Sequence, residues 1–199
     1  MTEAQDSAET PRRRPKPGER RLQILQAIAS MLEEGEAERV TTAALAARLQ
    51  VSEAALYRHF ASKAQMYEGL LEFIEQTIFG LINQIDSSAQ TPTEKARATV
   101  TMLLGFAEKN PGMTRLLIGE AIVFEHARLQ QRVNQIIDRI EASLRQTLKL
   151  GAIEDGAGEP ASQASLALCF VMGRWLRFAK TGFRQRPTEH AAEVLSRLF

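Results

Sequence analysis

Thr41-Thr42-Ala43-Ala44-Leu45-Ala46-Ala47-Arg48-Leu49-Gln50-Val51-Ser52-Glu53-Ala54-Ala55-Leu56-Tyr57-Arg58-His59-Phe60 is the stretch that decides the fold of this 199-residue chain. Thr41 with Thr42, and then Ser52, each bring a hydroxyl able to accept from the unpaired N–H groups of a helix's first turn. They predict one short helix running to about Leu49 and a second running to about His59. Only Leu49, Gln50, Val51 and Ser52 join the two, so the helices must cross steeply as a helix-turn-helix. Leu45, Leu49, Val51 and Leu56 can pack inward together, which leaves Thr42, Ser52, Glu53, Ala54, Tyr57, Arg58 and His59 at outward or terminal positions.

A helix offered in this way fits the major groove of double-stranded DNA, where a small residue such as Ala54 permits close approach. Tyr57, His59 and Lys63 are side chains suited to phosphates, and the helix N-termini at Thr41, Thr42 and Ser52 add oriented N–H donors. Glu53 repels phosphate; it either accepts from a cytosine amino group or serves the dipole of its own helix. Gln50, in the turn, carries a cost on the order of 1 kcal/mol if its backbone is left-handed.

Upstream, residues 1–18 are polar, interrupted by proline and without apolar periodicity, the pattern of a disordered basic arm. Its Arg12, Arg13, Arg14 and Lys16 either follow phosphates or stay solvated, whereas Arg20 and Arg21, beside the first helix, are assigned to phosphate. Leu22, Leu25, Ala29 and Leu32 recur at helical spacing up to Gly35. Residues 19–63 therefore read as the DNA-binding domain.

Downstream, residues 64–199 read as a helical partner-binding and dimerisation body, so the fold class is all-α. Ser62 with Gln65 opens a fourth helix bearing Leu71, Ile74, Ile78, Leu81, Ile82 and Ile85. Thr91, Pro92 and Glu94 open a fifth, which must stop ahead of Pro111. A shorter helix is expected over 113–124. A long one carries Leu129, Val133, Ile136, Ile140, Leu144 and Leu148 and closes at Gly151. After a loop over 151–160, residues 161–180 are apolar nearly all round, and Thr188 opens a last helix.

Composition excludes some functions and permits others. The net charge is +1 with 44% apolar residues, so a DNA contact must come from a local patch. No run approaches the roughly 20 apolar residues of a membrane span and no signal segment is legible, which predicts a cytoplasmic protein. The single Cys169 forms no intrachain disulfide, and His126 and His190 lack metal-ligand spacing, so no metal or cofactor is expected. No nucleophile elbow, phosphate loop or paired acids suggest an enzyme.

The run 51–63 resembles the DNA-binding motif of TetR-family regulators, with Val51-Ser52, Leu56-Tyr57, His59-Phe60 and Lys63 in the family's places; Gln50 and Ala61 depart from its usual glycine and proline. Leu104-Gly105-Phe106, Glu108 to Gly112, Thr114-Arg115, Phe124-Glu125, Arg128-Leu129-Gln130, Ile140-Glu141-Ala142 and Arg186-Pro187-Thr188 extend the resemblance to the family's nucleoid occlusion members. It implies a TetR-like fold, binding to palindromic chromosomal sites as a homodimer, association with the nucleoid, and antagonism of FtsZ ring assembly, hence control of division.

Two partner surfaces follow. Leu166, Cys169, Phe170 and Gly173 form one stripe of the apolar helix; with Trp175, and with Leu195 and Leu198 of the last helix, they are expected at a four-helix dimer interface. Phe73 lies off the fourth helix's apolar stripe, and Met102 and Gly105 stand one turn apart on the fifth. Glycine inside a helix is less favourable than alanine by about 1 kcal/mol, which suits close approach of another backbone. With Lys109 and Asn110 these residues suit the acidic, apolar-bearing FtsZ tail that the resemblance implies, although Leu81 stands where it would place arginine. Phe73 and Met102 could instead be ordinary core. The alternative function is a ligand-responsive repressor, with Met102, Phe106, Met113, Ile118, Ile122 and Phe124 around a cavity.

Overall fold

The computed structural model describes residues 18–34, 40–123, 125, 127–155 and 159–199. Arg12, Arg13, Arg14, Lys16, Gly35, Phe124 and His126 lie outside them, as does the arm apart from Gly18. Helices α1 (Glu19–Glu34), α2 (Thr42–Leu49) and α3 (Glu53–Tyr57) lead into α4 (Lys63–Asp86). Then come α5 (Pro92–Lys109), α6 (Pro111–Leu117), a 3-10 turn (Glu120–Ile122), α7 (Ala127–Asp155), α8 (Pro160–Lys180) and α9 (Ala191–Leu198). Among the described residues there is no strand, and no helix is long and apolar enough to cross a membrane.

The local signals act largely as their chemistry requires. Thr91 Oγ1 accepts from the Glu94 N–H and the Glu94 carboxylate accepts from the Thr91 N–H at 2.8 Å, with Pro92 at the first helical position. At α4 the reciprocal arm lands one residue earlier: Ser62 Oγ accepts from Gln65 N–H, but Gln65 Oε1 accepts from Ala61 N–H at 2.8 Å. The α4 stripe buries Leu71, Ile74, Ile78 and Ile82, and Phe79 joins it, while Leu81 and Ile85 are half-buried.

Four boundaries or assignments differ from the sequence reading. The expected helix over 113–124 starts at Pro111 and breaks after Leu117, because Gly119 takes φ +79° and a 3-10 turn follows. Helix α7 runs through Gly151 to Asp155; an ideal Cβ on Gly151 would lie 3.1 Å from Pro92 Cβ, so this glycine admits the first turn of α5 rather than ending a helix. Thr188 does not open the last helix: its N–H and hydroxyl donate to Glu108 Oε1 at 3.0 and 2.5 Å, and the helix begins at Ala191 after His190 at φ +55°. Trp175 and Leu195 belong to the core of the single chain rather than to an interface. Trp175 is 0% exposed, its indole N–H donating to the Leu103 carbonyl at 3.1 Å, and Leu195 is 1% exposed.

One buried core runs from α1 to α9, so the DNA-binding helices and the body share it. Glu68 pairs with Arg128 at 2.8 Å, and Glu75 with both Arg132 and Arg139, tying α7 to α4. The tightest junction is α1 on α6. An ideal Cβ on Gly112 would fall 1.9 Å from the Ala29 carbonyl oxygen, and Arg115 Nη1 donates to the Leu32 carbonyl at 2.9 Å, satisfying an acceptor near the end of α1. Gly80, exposed in α4, has open space where its Cβ would be. In chemical denaturation, Gly112→Ala is expected to lose about 1–3 kcal/mol or more by overpacking, whereas Gly80→Ala gains up to about 1 kcal/mol from helix propensity; equal effects would mean that the junction yields.

Candidate nucleic-acid interface

Leu45 and Leu56 are buried at 1% and 0% exposure, and Leu49 and Val51 pack on the same core, which fixes α2 against α3. Gln50 closes α2 in the left-handed region at φ 53°, ψ 48°, its N–H shared between the Ala46 and Ala47 carbonyls. Thr41 Oγ1 accepts from Ala44 N–H at 3.1 Å, and Ser52 Oγ accepts from Ala55 N–H at 3.3 Å. Ser52, Glu53, Ala54, Tyr57, Arg58 and His59 are all exposed, as is Thr41, whereas Thr42 is half-buried.

In and around this motif several side chains have partners that sequence reasoning missed. Glu53 Oε2 accepts from the Thr42 hydroxyl at 2.6 Å, so the carboxylate braces the first turn of α3 to that of α2 and holds two N–H-bearing helix ends side by side. The Arg21 guanidinium lies 4.1 Å from the Phe60 ring centroid and donates to the His59 carbonyl at 3.3 Å, clamping α1 to the end of the reading helix. Lys63 Nζ is 2.6 Å from Glu125 Oε1, with both side chains mostly buried, and is thus tied to the body rather than standing free for phosphate. Burial and the Glu125 charge push the neighbouring Tyr67 hydroxyl well above its ordinary range. Arg48 grips Glu34 through both carboxylate oxygens, at 2.5 and 2.7 Å, and holds that exposed carboxyl below its ordinary value. Arg20 is half-buried beside Arg48 and Gln50 in a cleft between α1 and the turn.

The second candidate surface lies on α4 and α5, which pack together. Phe73 and Met102 are half-buried against the edge of the core. Beyond the backbone of α5 itself, no atom of the described residues comes within 4 Å of an ideal Cβ on Gly105, so no packing neighbour among them requires glycine there. Lys109 is exposed, while the Asn110 amide N–H donates to the Phe106 carbonyl at 2.8 Å and caps α5. Of the residues expected to surround a ligand, Phe106 and Ile122 are buried core, and Met102, Met113 and Ile118 pack against it. On α8, Leu166, Cys169 and Gly173 are exposed and Phe170 half-buried. Leu176, one turn after Gly173 on α8, is exposed, as is Val194 on α9, while Leu198 packs against the core.

An exposed reading helix braced on a larger helical body defines a helix-turn-helix DNA-binding regulator. The family model for bacterial regulatory proteins of the tetR family matches residues 24–70, and the SlmA-like model, a tetracyclin repressor-like C-terminal domain, matches residues 91–198. The nucleoid occlusion factor SlmA of Vibrio vulnificus is 47% identical over 182 residues, covering 89% of this chain and 93% of the relative. That of Edwardsiella ictaluri is 48% identical over 174 residues, covering 85% and 88%. Among solved structures, a TetR-family regulator from Agrobacterium tumefaciens superposes with TM-score 0.75 at 20% identity, covering 92% of this chain and 98% of that one. The fatty acid degradation regulator FadR from Bacillus halodurans does so with TM-score 0.75 at 14% identity, covering 92% and 96%. The chain belongs to the SlmA nucleoid occlusion factors of the TetR family.

The left-handed backbone of Gln50 yields a direct test. Gln50→Gly is expected to raise the unfolding free energy by about 1 kcal/mol and Gln50→Val to lower it, since only glycine takes φ near +53° without a Cβ clash; thermal denaturation of the two variants checks the order.

Proposed function

We propose that the chain binds palindromic duplex DNA as a homodimer at the nucleoid and there antagonises FtsZ assembly by docking the FtsZ C-terminal tail between α4 and α5. The DNA part rests on the braced reading face: Thr41, Thr42, Ser52 and Ala54 approach the groove, Tyr57, Arg58 and His59 meet phosphates or base edges, and Arg20 and Arg21 flank them. Arg21 and Lys63 act mainly as clamps, because Phe60 with the His59 carbonyl, and Glu125, already hold them. Glu53 acts through Thr42 as a positioning residue.

Pairing through α8 and α9 is supported by the apolar outward face of Leu166, Cys169, Phe170, Gly173, Leu176 and Val194, an unusual strip to leave in water. A two-fold assembly presents two reading helices to two half-sites.

The observation that carries the FtsZ part is the open space at Gly105. A helix-interior glycine with open space at its Cβ position leaves room for a close-approaching backbone, and in this reading the half-buried Phe73 and Met102 flank that backbone while the exposed Lys109 cation meets its acidic residues. An extended peptide with apolar and acidic residues matches that arrangement in shape and charge. Asn110 contributes through its cap on α5 and its remaining amide atoms. Repression of assembly then follows DNA occupancy, since the tail groove is carried by the same rigid core as the reading helix.

Two measurements test these parts separately. Tyr57→Ala and Thr41→Ala are expected to weaken duplex binding with the thermal transition unchanged, and the log-log salt slope shrinks by about 0.9 for each phosphate contact removed. Leu166→Glu is expected to yield monomers in sedimentation and to lose the palindrome; parent-like binding by all three refutes the DNA assignment. For the groove, Phe73→Ala and Lys109→Glu are expected to lower affinity for an FtsZ tail peptide while duplex affinity holds, and Gly105→Ala lowers it while raising stability by up to about 1 kcal/mol; parallel loss of duplex binding would identify these residues as scaffold.

A further inference from the structure

The outward face of α8 is apolar in its middle and charged at its two ends. Counting about 100° per residue, Glu159, Leu166, Cys169, Phe170, Gly173 and Arg177 fall within about 60° of one direction. Glu159 and Arg177 stand about five turns apart, so they share one bearing while lying roughly 27 Å from each other along the helix. No ion pair inside one chain spans that length. Both residues are exposed, and neither charge is neutralised among the described residues. The Glu159 carboxylate accepts from the Ser162 hydroxyl at 3.0 Å. The Arg177 Nε donates to the Gln185 side-chain oxygen, and its two Nη groups have no hydrogen bond among the described residues.

Around Arg177 lies a cavity of about 280 Å³, lined also by Arg174, Gln185, Arg186, Glu189 and His190. Three guanidinium groups face one carboxylate there. Arg174 is fixed in the wall, 5.3 Å from the Phe170 ring centroid and donating to the Glu189 carbonyl, and its buried Nε has no hydrogen-bond partner. Arg186 is exposed, with no ion pair among the described residues. Such convergence of cations is favourable when a carboxylate completes it, and the planar fork of arginine suits that group. Helix α8 itself contains no Asp or Glu, and the acidic residue on its outward stripe is Glu159, at the helix threshold.

We propose that Glu159 of a second copy fills the arginine cavity, so that two α8 helices pair antiparallel through reciprocal Glu159–Arg177 contacts. This rests on the reading of α8 and α9 as the pairing face given above. A two-fold contact is self-complementary, so whatever one copy offers at one end the other offers at the opposite end. Parallel pairing would set Arg177 against Arg177 and Glu159 against Glu159, and like charges facing each other are disfavoured. Antiparallel pairing sets each against its opposite, twice. The axis then crosses the stripe between Leu166 and Phe170, where Leu166 of each copy meets Phe170 of the other, and the open space at Gly173 lets the backbones approach. The apolar middle supplies burial, while the charged ends fix direction and register.

Sedimentation equilibrium of the full chain tests the register by charge reversal. Arg177→Glu and Glu159→Arg are each expected to raise the dimer dissociation constant roughly tenfold or more, since each places like charges at both ends of the pair. Mixing equal amounts of the two variants is expected to restore parent-like dimers, because every contact between positions 159 and 177 in the mixed pair again joins opposite charges. A chain carrying both substitutions should dimerise likewise, with helical content by circular dichroism unchanged throughout. Arg177→Gln and Glu159→Gln provide a check free of repulsion: their losses are expected to be non-additive, and additive losses overturn the pairing. A single reversal that dimerises like the parent, or a mixture no tighter than its components, also overturns the register. Leu166→Glu separates the register from the face: monomers with this variant and no recovery in the mixture keep the face alone, whereas Leu166→Glu dimers overturn both. Parent-like dimers that lose duplex affinity would make Arg177 a DNA contact and overturn the register.

Discussion

The contact of α1 with α6 at Gly112 is the constraint on which the rest depends. Two helix backbones meet there with no side chain between them, the Ala29 carbonyl occupying the place of a Cβ. Backbone packing of this kind tolerates no sliding, and Arg115 adds a hydrogen bond to the Leu32 carbonyl at the same seam. The DNA-binding helices are thereby fixed to the body, and the orientation of α3 is a property of the whole chain. Because α6 follows α5 after only Asn110, the end of the candidate tail groove is also one short step from this seam.

Charge is used in the same spirit. Two cations that the sequence assigns to phosphate are engaged inside the chain, Lys63 with Glu125 and Arg21 with Phe60 and the His59 carbonyl, and Arg48 is likewise held by Glu34. These contacts join α4 to the segment after the 3-10 turn, α1 to the end of α3, and α2 to α1. Exposed pairs such as Arg48–Glu34 contribute little stability in water, but each restricts the angle at which α3 is presented. Affinity for a duplex with a net charge of only +1 to draw on depends on such presentation more than on bulk attraction.

Most of the fold was legible because its signals are local. Thr91, Pro92 and Glu94 begin α5 wherever they occur, Pro111 ends it, and the 3.6-residue repeats of Leu129 to Leu148 describe α7 without reference to any neighbour. The outward face of α3 followed from the same periodicity, and all of its predicted members are exposed. The readings that failed concern residues whose role is set by a distant partner. Gly151 has the look of a helix stop, yet Pro92 approaches it from α5; Thr188 has the look of a cap, yet Glu108 takes both its donors.

Trp175 and Leu195 make the same point for surfaces. On a helix that is apolar nearly all round, spacing cannot say which side faces its own body, and the Leu103 carbonyl settles it for Trp175 by receiving the indole N–H. The sequence by itself therefore determined the helices and the outward face of α3, because caps, breakers and apolar periods act within a turn or two of chain, and it carried the family through the motif at residues 51–63. Only the tertiary structure decided which cations remain available, which apolar residues face outward, and that Glu108 moors the loop before α9 to the end of α5, because each of these depends on atoms that the chain brings together from tens of residues apart.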